Sequence, residues 1–131
     1  MMQAVYYRAA DGSQPVSEFI DGLQPRCQAV LDNQIDRLNG LAEDEPPLPF
    51  PHSSQIDGEL RELRCHYGRE LYRVFYRRSE NLFVLLHAIR KDCGAISDEN
   101  KRIAQAGWHD FKERMDASAR QRPRAIGWDA P

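Results

Sequence analysis

Arginine alternates with aromatic and aliphatic residues in the run Leu71-Tyr72-Arg73-Val74-Phe75-Tyr76-Arg77. Successive side chains of an extended chain point to opposite faces. Leu71, Arg73, Phe75 and Arg77 therefore share one face, and Tyr72, Val74 and Tyr76 the other. Arginine binds phosphate bidentately, and an aromatic ring gives an unpaired base a surface to stack on. The preceding run adds Glu62 and Arg64 on one face, with Arg61, Leu63 and Cys65 on the other. The following run, Leu82–Arg90, gives Phe83, Leu85, His87 and Ile89 one parity, which Lys91 continues. If helices cover Leu63, Tyr72, Val74 and Tyr76, an open face shows Glu62, Arg64, Arg73, Phe75 and Arg77, with His87 and Lys91 near its rim. Such a face can hold an RNA phosphate. A merely solvated strand produces the same alternation. Glu62 is then an ion-pair partner for Arg64 or Arg73, His87 a satisfied boundary histidine, Lys91 a strand end, and Trp108 and Phe111 core. Alternation alone leaves both readings open.

The charge distribution leans toward the first. The formal net charge of −2 by itself speaks against a nucleic-acid binder. Yet residues 1–57 hold three basic and nine acidic residues, whereas residues 58–91 hold eight basic and four acidic. Screening confines a phosphate contact to roughly 10 Å, so a local basic surface suffices. No apolar run approaches membrane length, and the N-terminus lacks a basic-then-apolar signal pattern. Cys27, Cys65 and Cys93 form no CxxC and no zinc spacing. We expect reduced thiols, a cytoplasmic protein, and neither metal nor cofactor.

The elements that must position these residues follow from periodicity. Gln3–Arg8 reads as a short strand. Pro15 opens a helix running to about Gly22, with Val16, Phe19, Ile20 and Leu23 on one face. Pro25 opens a second, on which Cys27, Val30, Leu31, Ile35, Leu38 and Ala42 follow a 3.6-residue period. Pro46–Pro51 holds four prolines in six residues and breaks the chain, as an ordered crossover rather than a domain linker. The period then becomes two: strands at Glu59–His66, Glu70–Arg78 and Leu82–Arg90 with short turns make an antiparallel meander. The nearly apolar third strand belongs at the centre. Ser97 caps a final helix, about Asp98–Ala119, on which Ile103, Gly107, Phe111 and Met115 recur every four residues with Ala104 and Trp108 beside them. The expected organisation is one domain over residues 1–119 and a loose tail over 120–131.

Three strings in this order carry a resemblance: Asp57-Gly58-x-Leu60-x-Glu62-Leu63-Arg64, Leu71-Tyr72-Arg73-Val74-Phe75-Tyr76, and Leu85-Leu86-His87-Ala88-Ile89-Arg90-Lys91. Together they resemble the RelE/ParE toxin superfamily, and within it the HigB-like, phage-derived members. The resemblance covers roughly residues 3–117. It implies an α+β, microbial-RNase-like fold: an antiparallel sheet packed against an N-terminal helical hairpin and a C-terminal helix. It also implies a helix-turn-helix antitoxin partner and metal-free cleavage of mRNA, typically on the ribosome. Arg73 matches the family's phosphate-stabilising arginine, Arg64 a basic position on the neighbouring strand, and Lys91 a basic strand end. Glu62 or His87 is then the proton acceptor. Arg77, Phe75, Arg61 and Arg90 are assigned to RNA contact. Two branches of function are implied besides cleavage: non-enzymatic inhibition of the ParE kind, and a degenerate toxin that only binds its antitoxin. The chain departs from the family pattern after Lys91. Asp92–Glu99 is not basic, and no tyrosine follows Tyr76.

Overall fold

The computed structural model describes residues 1–92 and 94–117. Its elements run β1 (Gln3–Tyr6), α1 (Pro15–Asp21), α2 (Pro25–Asp36), β2 (Ser53–Asp57), β3 (Leu60–Tyr67), β4 (Glu70–Ser79), β5 (Leu82–Lys91) and α3 (Asp98–Ala117). The expectations for Cys93 and for the tail at 120–131 lie outside the described residues. Among the described residues, no helix is long and apolar enough to cross a membrane.

The strands form one five-stranded sheet in the order β1-β5-β4-β3-β2. The meander β2 to β5 is antiparallel, and β1 joins β5 in parallel, so the sheet is mixed rather than wholly antiparallel. Three helices complete an α+β arrangement that agrees with the RelE-like fold. Each meander turn places a left-handed residue first in its two-residue loop: Gly58 (φ 58°), Gly68 (φ 60°) and Glu80 (φ 53°). That backbone twist matches the twist of the flanking strands. Glycine takes it freely at the first two turns, whereas Glu80 bears a steric cost.

Hydrophobic burial divides between the two sheet faces. Val16 and Ile20 of α1 and Cys27, Leu31 and Ile35 of α2 pack on Leu63, Tyr72, Val74, Tyr76 and Leu85. This is the expected face, built by the alternation of β3 and β4. The opposite face holds Val5, Leu60, Phe75, Val84 and Leu86, and α3 covers it with Ala104, Trp108 and Phe111. The nearly apolar β5 is thus interior and covered on both sides, as its composition requires. Ser97 caps α3, its Oγ accepting the Asn100 backbone N–H at 3.2 Å. Gly107 lets α3 approach the sheet closely, since a Cβ there would lie 3.3 Å from the Tyr7 ring. Tyr7 OH donates to Asp110 at 2.6 Å and Arg114 pairs with the same carboxylate at 2.7 Å, which pins α3 to the end of β1. Of the four-residue series on α3, Ile103 is exposed, and Ala104 beside it is buried instead.

Two local features were not expected. Ser53–Asp57 is an edge strand, held by the buried hydrogen bond between Ser53 Oγ and Tyr76 OH at 2.6 Å. On β5 the register shifts by one: Phe75 faces His87 while Tyr76 faces Leu85, leaving Leu86 as the extra residue. A bulge of this kind reverses side-chain parity. Phe83 and Leu85 therefore face α1 and α2, whereas His87 faces α3. The uninterrupted parity expected from Phe83 to Lys91 is corrected accordingly.

Candidate functional site

Arg64 and Arg73 lie directly opposite each other on β3 and β4. Like charges at that spacing repel. Glu62, one alternation back on β3, resolves the conflict: its Oε1 accepts from Arg73 Nε at 2.9 Å and from Arg64 Nη1 at 3.4 Å. Arg73 is only 3% exposed and Glu62 4%. A buried guanidinium requires such a partner. Arg73 Nη1 also donates to the Tyr72 carbonyl at 2.9 Å. Its Nη2 has no hydrogen-bond partner among the described residues. This arrangement matches the ion-pair reading of Glu62 and locks both arginines in position.

Arg73 and Arg64 line an open groove of about 370 Å³ where β2 has ended and the last residues of β3 are uncovered. Its other wall comes from α2 and the proline-rich crossover: Asn33, Gln34, Arg37, Pro51 and His52. Gln34 knits the walls together. Its Nε2 donates to the Arg64 carbonyl at 2.7 Å while its Oε1 accepts from Arg37 Nε at 2.6 Å. The backbone N–H of Arg64 donates to the His52 carbonyl at 2.9 Å. His66 completes the lining, so the groove presents Arg37, Arg64, Arg73, His52 and His66 with no carboxylate among its lining residues. Cys65, at the floor, is a buried free thiol whose pKa is pushed up to about 12 by burial, against the opposing pull of Arg73. It stays protonated and is no nucleophile at neutral pH. Three guanidinium groups and two imidazoles around one open space can bind a phosphodiester and move protons to and from the sugar oxygens beside it.

The structure disperses the remaining candidates. Phe75 is fully buried beneath α3, which corrects the expectation that it stands on an open face. His87 stacks on Phe75 with ring centroids 5.6 Å apart, and its Nε2 lies 2.9 Å from Asn100 Oδ1. It is a boundary histidine outside the groove lining. Arg77 lies over the Trp108 ring at 4.4 Å and pairs with Glu59 at 2.7 Å. Trp108 and Phe111 are core, as the structural alternative for them required. Arg61 faces the helical-hairpin side, where its Nη2 donates to the Leu48 carbonyl at 3.0 Å and its Nε contacts Tyr76 OH at 3.4 Å. Arg90, paired in register with Tyr72, binds Glu70 at 3.0 Å on that same side. Lys91 pairs in register with the lining residue Leu71 but is not itself part of the lining.

Sequence reasoning missed Arg37, His52 and His66. For His66 a signal existed, since it continues the parity of Glu62 and Arg64 by one alternation. Arg37 and His52 come from the end of a helix and from a crossover. Only the tertiary fold brings them to the edge of β3.

The site is thus a cationic groove at the open end of an α+β sheet, with an arginine locked at its floor. Comparison with protein families identifies the class to which such a chain belongs. Residues 18–108 match the model of the phage-derived Gp49-like proteins, and the chain belongs to that family of toxin-like proteins. The match runs from α1 into α3 and contains every residue of the groove. Comparison with curated proteins finds no match.

Proposed function

We propose that the protein is the toxin of a toxin–antitoxin pair, of the HigB-like kind. It acts as a metal-independent endoribonuclease on ribosome-associated mRNA, and a helix-turn-helix antitoxin restrains it. The observation that carries this reading is the groove itself: three arginines and two histidines converge there with no carboxylate in its lining. In the reaction, the RNA 2′-oxygen forms a bond to the adjacent phosphorus as the bond from phosphorus to the 5′-oxygen breaks. The products are a 2′,3′-cyclic phosphate and a 5′-hydroxyl. Arg73, with Nη2 uncommitted, and Arg64 stabilise the charge that grows on the non-bridging oxygens. One groove imidazole takes the 2′-hydroxyl proton and another protonates the leaving oxygen; we assign these roles to His52 and His66, the two histidines of the lining. Glu62 is a positioning residue, because both arginines converge on its carboxylate and it is absent from the groove lining, to which Arg73 and Arg64 belong. Arg37 adds a backbone contact along the groove wall.

The test is expression without the antitoxin. Growth arrest is expected, with transcripts cut to 2′,3′-cyclic phosphate ends and with both effects relieved by co-expressed antitoxin. Unimpaired growth at confirmed soluble expression, with intact transcripts, contradicts the proposal. Growth arrest that persists undiminished in Arg73→Ala, with intact transcripts, points instead to a non-enzymatic inhibitor.

A further inference from the structure

An RNA-cleaving groove must hold the base beside the scissile phosphate as well as the phosphate itself. The aromatic residues that alternation offered for this are withdrawn from solvent: Phe75, Trp108 and Phe111 are all core. Phe50 behaves differently. It is 69% exposed, against 37% for Tyr67, the other exposed aromatic among the described residues. It sits at the corner of the crossover turn, where the Pro49 carbonyl accepts the backbone N–H groups of His52 and Ser53 at 3.0 and 3.2 Å. Arg61 grips the same segment through the Leu48 carbonyl. Prolines 49 and 51 flank it and restrict the backbone on both sides. The Arg64 guanidinium lies 4.8 Å from the ring centroid, so one face of the ring is occupied by the groove's own cation. The rest of the ring is open to water.

A ring left 69% exposed gains little from burial, and the Arg64 guanidinium covers only one of its faces. A preorganised ring beside a phosphate-binding arginine suits a π-stacking ligand. We propose that Phe50 is the nucleobase platform of the groove: an unpaired RNA base stacks on its free face while Arg64, behind and beside it, holds the adjoining phosphate. This rests on the RNA-cleaving reading above and adds to it the place of the base.

The experiment uses the full chain freed of antitoxin and a single-stranded 2′-O-methyl RNA oligonucleotide, which lacks the attacking hydroxyl. A fully abasic oligonucleotide of the same length is the control. Phe50→Ala is expected to bind the base-bearing strand roughly ten- to a hundredfold more weakly, the range for loss of one stacked base, and to leave abasic binding unchanged. On cleavable RNA it raises KM more than it lowers kcat. Phe50→Trp is expected to restore binding, its added fluorescence quenched by the base-bearing strand alone. Equal binding by wild type and Phe50→Ala overturns the platform while leaving the ribonuclease reading intact. So does a loss confined to antitoxin binding, which makes Phe50 a protein contact. Failure of the wild type to bind or cut RNA overturns both.

Discussion

Arg73 and Arg77 stand four residues apart on the same face of β4, and their surroundings make them different objects. Arg77 lies under the cover of α3: its guanidinium rests on Trp108 and its charge is met by Glu59 at the surface. Arg73 meets a different set of partners and is the more deeply buried of the two. It is buried against Glu62, opposite a second arginine, with its free nitrogen at the wall of an open groove. The first arrangement is what a helix needs to seat its tryptophan on a sheet. The second keeps two guanidinium groups close together at a fixed position, held by one buried carboxylate. Residue type and strand face are identical in the two cases. What separates them is the partner each meets: Trp108 of α3 for Arg77, Glu62 and Arg64 of β3 for Arg73.

This contrast can be broken in a graded way. Arg73→Ala should have the largest effect. It leaves Glu62 buried with only the more distant Arg64, which costs about 3 kcal/mol of stability. It also removes a preorganised cation, with a loss on the order of 10²–10³ in cleavage rate. Urea unfolding and RNA cleavage read the two separately. A variant of unchanged stability would show that the Glu62 pair is not what holds the site.

Substitution of the histidines comes next. His66→Ala and His52→Ala should each lower kcat by about 10² if they transfer protons. His87→Ala should leave kcat within a small factor of wild type, because His87 belongs to the seat of α3. A dominant effect of His87 would return the proton acceptor to β5 and contradict the groove assignment.

Arg77→Ala should cost about 1 kcal/mol through lost contact with Trp108 and spare the rate. Glu80→Gly should change least, raising stability by about 0.5 kcal/mol. Relief of the left-handed backbone is there partly offset by greater freedom in the unfolded chain. Thermal unfolding detects both. A loss of stability at Glu80→Gly would mean that the Glu80 turn is held by contacts other than its own backbone.

Much of the fold was legible because it rests on period. Alternation placed Tyr72, Val74 and Tyr76 against the helices, and the apolar run of β5 announced a strand covered on both faces. Prolines 15 and 25 marked two helix starts. Other features have no periodic signature. β2 reads Ser-Ser-Gln-Ile-Asp, polar enough to pass for loop, because an edge strand buries little. The β5 bulge is a single surplus residue, yet it moves His87 to the other face from Leu85. The face of β4 is basic along its length; the sequence does not show which half α3 will cover. Of the site, the Arg73–Arg64–Glu62 unit was readable from parity. Arg37, His52 and Phe50 were not, since they reach the groove from a helix end and a crossover.

The most direct test sets the two arginines against each other with their charges kept. Arg73→Lys and Arg77→Lys each preserve one positive charge and differ only in which surroundings lose the guanidinium fork. The account predicts that RNA cleavage by Arg73→Lys falls on the order of 10²-fold while Arg77→Lys stays within about twofold of wild type. Equal rates for the two variants, or a larger loss at Arg77, would contradict it.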